Sequence, residues 1–284
     1  MAKNGYKMID AELHVMEPVD LWDNYIADEF KDRAPKRMSE GQWDIRTLVE
    51  GEMMACMPGS GASSEVVWNS SGGRNGLEDQ VLWDRYKEDI ERNFDPESLI
   101  LAMKKEGLDL AVLFPTSAMY ITAKNGMDPR FAAAACEAYN SWLYDYMQAG
   151  DPSMTYHVGV VSPHDVESAV IETRRCAKEL GSKAIMLRPN MYNNTPWHNA
   201  YYDPLWKECE ELGIAVTFHE TTGSRMPAAG ADRFPSHSRI AHVATHSVEQ
   251  MMACLDIVMG GVMERFPTLQ FGFLEGQCGW LPFW

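Results

Sequence analysis

The order of strands and helices along the chain constrains its fold more than any other feature of the sequence. From residue 94 onward, short apolar runs alternate with amphipathic stretches of helical periodicity. The apolar runs are LDLAVLFP, TYHVGVVS, KAIMLRP, IAVTFHE and TLQFGFLEG, and YKMIDAELH near the start is a sixth. Such alternation is typical of a parallel sheet covered by helices. We therefore predict an α/β fold whose strands begin near residues 7, 109, 155, 183, 214 and 269.

Two parallel architectures fit this alternation, a doubly wound sheet and a (β/α)8 TIM barrel. Polar residues stand where several different strands end, which is where barrel enzymes place their active sites. We therefore favour the barrel, formed as a single domain over residues 1–284. The chain supplies about six of the eight βα units and ends in WLPFW directly after a strand, so we expect the barrel to be truncated at its C-terminus.

Residues 46–76, after the first strand, interrupt the alternation. Gly, Ser and Pro clusters surround short apolar runs there, as in MACMPGSGASSEVVWNSSGG. We predict a hairpin-like insertion that covers the mouth of the barrel.

Charge and composition exclude several classes of partner. The 41 acidic residues outnumber the 25 basic ones and give a net charge of −16, which argues against nucleic acid and anionic membrane surfaces. The sequence shows no signal peptide, no apolar run near the ~20 residues of a transmembrane helix and no CxxC pair. We expect a cytoplasmic protein with free thiols and a small-molecule substrate, and a homo- or hetero-oligomer is compatible with the sequence.

The strongest local signal for function is IDAELH, at the end of the first strand. Side chains two positions apart on a strand share a face, so Glu12 and His14 project together. A carboxylate and an imidazole side by side form a two-point metal clamp. A surface glutamate beside a capping histidine is the alternative interpretation.

Two further strands end on potential ligands, His219 after AVTF and Glu275 after LQFGFL. A histidine hydrogen-bonded to the backbone is the alternative for His219. A carboxylate at the end of an apolar strand is costly unless it is paired or coordinated. Because barrel strands end at one rim, we predict that Glu12, His14, His219 and Glu275 hold a divalent metal ion.

Three segments, IDAELHVMEPVDLW, YYDPLWKECEELGIAVTFHE and MGGVMERFPTLQFGFLEGQCGWLP, resemble the amidohydrolase-related family. This is the branch of the amidohydrolase superfamily that includes aminocarboxymuconate-semialdehyde decarboxylase, and the resemblance spans nearly the whole chain. It implies a (β/α)8 barrel with a divalent metal ion, usually zinc, that hydrolyses, hydrates or decarboxylates small acids.

The resemblance also implies roles for particular residues. The family's first-strand HxH motif falls on Glu12 and His14, its fifth-strand histidine on His219, and its sixth-strand histidine on or near Glu275. The family's last-strand aspartate, a ligand and proton-transfer group, is expected beyond residue 284, so no catalytic residue is assigned within the chain.

The two replacements of His by Glu bear on the metal and the reaction. Hard carboxylate oxygens favour iron or manganese over zinc, and a carboxylate can bridge two ions. Some relatives with carboxylate-rich sites, such as 2-aminoisobutyrate hydroxylase, are oxygenases. Three functions stay open. The leading one is a metal-dependent hydrolase or decarboxylase acting on a small carboxylate or carbonyl compound through a metal-activated water or metal-polarised carbonyl. The others are a dinuclear non-haem Fe or Fe/Mn oxygenase and an inactive partner subunit.

Three more residues are weaker candidates. His242 and His246 are four residues apart and share a helix face, and they could supply a second metal ligand or a substrate contact. His246 is the stronger candidate because it opens the long helix predicted over about residues 248–266. Their alternative is a solvent-facing position. Arg188, after the strand IML, could clamp a substrate carboxylate, and its alternative is an ion pair with an acidic residue.

Overall fold

The computed structural model describes residues 5–37, 47–54, 87–220, 224, 226–231, 233–234 and 238–284. Its strands are β1 (Ile9–His14), β2 (Lys36–Arg37), β3 (Thr47–Val49), β4 (Glu52–Met54), β5 (Leu110–Phe114), β6 (Thr155–Val160), β7 (Ala184–Leu187), β8 (Ala215–His219) and β9 (Phe271–Leu274). Its α-helices are α1 (Leu21–Tyr25), α2 (Pro96–Glu106), α3 (Pro129–Ala149), α4 (Val166–Lys178), α5 (Asp203–Leu212), α6 (Ser238–Met259) and α7 (Val262–Arg265).

Six of the described strands form one parallel sheet in the order β1-β5-β6-β7-β8-β9. These are the six strands that the sequence predicted, and the α/β class is confirmed. β1 and β9 lie at opposite edges of this order, yet Glu12 of β1 and Glu275 after β9 share one cluster of side chains. The sheet therefore curls as in a (β/α)8 barrel, and the predicted barrel architecture is confirmed.

Local signals in the sequence set the limits of the helices. The Asp95 side chain accepts a hydrogen bond from the Ser98 amide and caps α2, and Asp165 caps α4 in the same way through Ser168. Gly213 ends α5 with φ +65°, a left-handed conformation that glycine adopts without steric cost. The resulting boundaries agree with the predicted order of elements.

One helix differs from its prediction. The long helix before the last strand begins at Ser238 rather than near residue 248, and it ends at Met259 rather than near residue 266. Gly260 and Gly261 separate it from the short α7. The prediction failed at the N-terminus because the segment SRIAHVATHS has weak apolar periodicity, and at the C-terminus because it ignored the glycine pair.

An aromatic cluster lies behind β8 and fixes the strand that ends on His219. The Phe218 ring stacks on that of Phe273 at 5.6 Å between centroids and contacts Trp197 at 5.4 Å. All three belong to, or pack against, a core shared by α4, α5 and α6. Such dense packing leaves the end of β8 little freedom to move.

A small antiparallel sheet follows β1. β3 pairs with β4 and with β2, and the turn between β3 and β4 carries Glu50, which pairs with Arg33 at 2.5 Å. Lys124 also reaches Glu52 at 2.6 Å and ties this hairpin to the loop after β5. Residues 47–54 of the predicted insertion are therefore a hairpin, and residues 46 and 55–76 lie outside the described residues.

The cysteines agree with the expected free thiols as far as the structure describes them. Cys136, Cys176 and Cys209 are buried free thiols, and burial raises the pKa of each. Within the described ranges, none of the helices is both long and apolar enough to cross a bilayer.

Candidate metal centre

Four side chains predicted as ligands come together beyond the carboxyl ends of β1, β8 and β9. Each offers one donor atom, and these atoms all lie within 4.8 Å of one another. His219 Nε2 is 2.7 Å from Glu12 Oε1, 3.3 Å from His14 Nε2 and 3.9 Å from Glu275 Oε2. The structure thus gathers the residues of three separate strands around one point.

The geometry of β1 directs its two polar side chains towards this point. The pairing of β1 with β5 shifts register between Asp10 and Leu13, which marks a bulge. Within the bulge the Glu12 amide donates to the Asp10 carboxylate at 3.0 Å. Bulges commonly re-aim side chains near active sites. This bulge contains Glu12, whose carboxylate contacts His219.

Hydrogen bonds to backbone carbonyls fix which nitrogen of each imidazole faces the centre. Pro115 O lies 2.7 Å from His14 Nδ1, and Glu220 O lies 2.9 Å from His219 Nδ1. A carbonyl oxygen can only accept, so each Nδ1 carries a proton. In the neutral rings, both Nε2 atoms then present lone pairs to each other at 3.3 Å, as ligands of a shared cation do.

Charge at the centre also suits a cation. Burial and the neighbouring His219 lower the pKa of His14, which favours its neutral form. A hydrogen bond from His246 lowers the pKa of Glu275 to about 2, with His219 and His14 adding to the effect. The Glu12 Oε1 atom is buried and accepts no hydrogen bond among the described residues, and it lies 2.7 Å from the His219 Nε2 atom. Two carboxylates and two imidazole lone pairs therefore fit a divalent ion.

The two weaker histidine candidates lie beside the fourth ligand. His246 Nδ1 is 3.3 Å from Glu275 Oε2, and its ring is 4.1 Å from that of His242. Burial, reinforced by His246, lowers the pKa of His242 to about 4. The long helix α6 begins before both residues, so its first turns carry them to the rim instead of leaving them in a loop.

Arg188 is completely buried and forms an ion pair with the equally buried Glu220. Glu220 also supplies the carbonyl oxygen that holds His219 Nδ1, so the pair lies directly behind the candidate ligands. This is the ion pair that the sequence left open as the alternative, and a substrate-binding role for Arg188 stays a prediction.

Sequence reasoning missed Glu17, whose carboxylate is buried three residues beyond β1. Its two oxygens accept from the amides of Thr116, Ser117 and Ala118 at 2.8–3.1 Å, and from the Ser117 hydroxyl at 2.9 Å. This turn directly follows Pro115, whose carbonyl holds His14. No sequence pattern signals the role, because every partner lies about 100 residues away along the chain.

A curled parallel sheet with histidines and carboxylates converging at its strand ends is the arrangement found at the active sites of (β/α)8-barrel enzymes. The chain belongs to the amidohydrolase family, whose model (Amidohydro_2) matches residues 9–282. The predicted family resemblance is confirmed.

Comparison with individual proteins agrees with this assignment. The chain is 27% identical to 2-amino-3-carboxymuconate-6-semialdehyde decarboxylase of Dictyostelium discoideum over 201 residues, which are 70% of this chain and 52% of that protein. It therefore spans about half the length of the curated relative it matches.

Solved structures share the fold. An amidohydrolase from Mycobacterium avium subsp. paratuberculosis superposes with a TM-score of 0.64 at 18% identity, covering 94% of this chain and 72% of the other. 5-Carboxyvanillate decarboxylase from Novosphingobium aromaticivorans, solved with manganese and 4-hydroxy-3-methoxy-5-nitrobenzoic acid, superposes with a TM-score of 0.60 at 21% identity. This match covers 95% of this chain and 65% of the other.

Proposed function

We propose that this chain carries the metal centre of an amidohydrolase-type enzyme that decarboxylates or hydrolyses a small carboxylate or carbonyl compound. One observation supports the proposal above all others. Glu12, His14, His219 and Glu275 present two carboxylates and two imidazole nitrogens within 4.8 Å of one another. Carboxylates and nitrogen lone pairs packed this closely in a half-buried site repel one another. A divalent cation bound between them removes this repulsion.

The protein's own residues hold and shield this centre. His14 and His219 keep their Nε2 lone pairs inward because Pro115 O and Glu220 O accept from their Nδ1 atoms. A divalent ion bound there supplies the positive charge that polarises a substrate carbonyl or acidifies a water molecule. His246, in contact with Glu275, is placed to hold or release a proton beside the centre.

Decarboxylation is the reaction that the relatives favour. Both the Dictyostelium relative and the Novosphingobium structure are decarboxylases, of a semialdehyde acid and of an aromatic acid. The manganese in the latter and the two carboxylates here favour manganese or iron over zinc at this centre.

Metal analysis of the purified chain tests the proposal directly. We expect about one divalent ion per chain after loading with Mn²⁺, Fe²⁺ or Zn²⁺. Release of CO₂ from a small carboxylic acid is expected once the last-strand aspartate is also present. His219→Asn should lose the ion. A chain that retains no ion under any of these conditions would contradict the proposal and favour an inactive partner subunit.

The contact between Glu275 and His246 favours a second candidate, a dinuclear oxygenase. Glu275 has two carboxylate oxygens and lies between the His219 side of the centre and the His242–His246 pair. A carboxylate in this position can bridge two ions. Two iron or manganese ions per chain, with uptake of O₂, would support this function, whereas one ion per chain supports the first.

A further inference from the structure

A cavity that none of the four candidate ligands lines lies between the loop after β7 and helix α6. Its volume is about 700 Å³, in the range of small-molecule sites. The wall is formed by residues of the 189–198 loop, by residues 227–229, and by α6 from Glu249 together with Gly260. Trp197 lies in its wall and packs against Phe218 of β8.

Apolar side chains form most of the cavity wall. Trp197 and Ala253 are buried within it, whereas Met191, Met252 and Met259 are between 50% and 77% exposed along its opening. Methionine side chains are flexible and polarisable, and they adapt to the shape of an apolar ligand. The cavity therefore suits a molecule with an apolar body.

The carboxylates in the cavity wall give it negative charge. Glu249 and Asp256 line the cavity with the imidazole of His198, and no lysine or arginine is found among the described lining residues. Both oxygens of Asp256 are engaged, one by the His198 ring and the other by the Trp197 amide at 2.6 Å. Asp256 is thus already satisfied by protein groups.

Glu249 is in a different position. The Ala229 amide donates to its Oε1 atom at 2.5 Å, and no other hydrogen bond to its carboxylate occurs within the described part of the chain. Burial raises the pKa of Glu249 to about 7, with the nearby charge of Glu220 adding to the effect and Arg188 only partly offsetting it. The carboxylate is thus short of positive charge, which a cationic ligand would supply.

We propose that this cavity binds a small organic ammonium ion, with its apolar body against Trp197 and the methionines and its cationic nitrogen at Glu249. The site does not depend on the metal centre or on the proposed function. Neutral molecules of the same shape lack the charge pairing, and anions face two carboxylates.

Calorimetry with three matched probes tests this site. Benzylamine, benzyl alcohol and benzoate share a body and differ in charge. The titrations are run both with and without bound metal, because binding at the metal centre changes with the ion whereas binding at this cavity does not. We expect one benzylamine per chain at pH 8, with affinity at least tenfold above those of the other two probes. Equal binding of all three, or no binding of benzylamine, would overturn the proposal.

Two variants and a control locate the bound amine. Glu249→Gln keeps an acceptor for the Ala229 amide but removes the charge, and should weaken benzylamine binding at least tenfold. Met252→Trp should fill the opening and abolish binding. Glu264→Gln, an exposed change on the neighbouring α7, should leave the affinity unchanged. Benzylamine binding that is insensitive to Glu249→Gln would place the amine elsewhere and end the proposal.

Discussion

The chemistry of the candidate centre depends on one hydrogen bond to each of its two histidine ligands. His14 and His219 each donate through Nδ1 to a backbone carbonyl, so a main-chain acceptor sets the orientation of each ring directly. Backbone partners of this kind fix both the tautomer and the plane of a ligand ring before a metal arrives. The site is therefore pre-organised at the level of individual atoms.

Removing one imidazole should abolish metal binding without unfolding the protein. His14→Asn deletes an Nε2 donor from a half-buried site, and removal of one donor from a four-donor set costs a large part of the affinity. We expect the bound metal, measured by mass spectrometry after dialysis, to fall at least tenfold. His198→Asn, which alters a histidine outside the centre, should keep the metal content of the wild type.

The raised pKa of Glu249 should appear in the pH dependence of stability. The folded state keeps this carboxyl protonated up to about pH 7, whereas the unfolded chain ionises it near 4.5. Between these values the folded state binds more protons, so its contribution to stability is fully present below 4.5 and is lost as pH rises through 7.

Glu249→Gln removes this titration. One pKa unit corresponds to about 1.4 kcal/mol. We therefore expect the unfolding free energy of the variant, relative to that of the wild type, to be higher at pH 8 than at pH 5 by at least about 1 kcal/mol. Urea denaturation at both pH values measures the difference. If the difference in unfolding free energy between variant and wild type is the same at both pH values, as expected for Glu264→Gln, Glu249 titrates normally.

At the scale of elements, the Glu17 carboxylate joins the end of β1 to the turn after β5. It accepts from three successive amides of that turn, and the carbonyl that orients His14 belongs to the preceding residue, Pro115. A buried carboxylate with several amide donors is stable as a unit and costly to disturb. We infer that Glu17 is a positioning residue for the His14 ligand.

Glu17→Gln tests this role. The NH₂ group of the glutamine would face a backbone amide donor at a position where the carboxylate has an acceptor oxygen. We therefore expect a loss of about 2–4 kcal/mol in unfolding free energy together with weaker metal binding. Glu137→Gln, on the exposed face of α3, should change neither quantity. Lost stability with undiminished metal affinity would limit Glu17 to a structural role.

The end of α6 lies against the loop after β7 too closely for any side chain at Gly260. A Cβ atom there would lie 2.1 Å from the Cβ atom of His198 and 2.4 Å from Asp256 O. Gly260→Ala should therefore force the helix and the loop apart and lower the unfolding free energy by about 1–3 kcal/mol. Gly279→Ala, with open space around the new atom, should be nearly neutral in the same thermal or urea melts.

At the scale of the whole molecule, the candidate centre joins the two edges of the described sheet. Glu12 and His14 belong to β1 at one edge, and Glu275 follows β9 at the other. An ion bound to all of them acts as a cross-link between strands that have no hydrogen-bonded pairing in the described sheet. Its binding free energy then adds to the stability of the fold.

Metal ions should therefore raise the unfolding temperature of the full chain. Binding at a concentration 100 times the Kd adds about 2.7 kcal/mol. We expect Mn²⁺ to raise the midpoint measured by calorimetry, and a chelator to reverse the change. His14→Asn should abolish the response. A rise of equal size in His14→Asn would show that the ion binds elsewhere.

The sequence predicts the strand order and the four candidate ligands because both depend on local patterns. Apolar runs mark the strands, and a polar residue at the end of such a run, as in His219 or Glu275, is visible without a structure. Glu17 and the Arg188–Glu220 pair could not be assigned in this way. Their partners are fixed only when distant segments pack, and nothing in the neighbouring letters distinguishes them from surface charges.

The distance along the chain between Glu12 and Glu275 has a consequence for biosynthesis. A ribosome makes Glu12 long before Glu275, because most of this sequence lies between the two residues. During that interval the nascent chain offers only incomplete subsets of the four donors, which bind metal weakly. Ion capture would thus be delayed until the last strand docks, and a bound ion would mark those copies in which translation and folding of this segment have both finished.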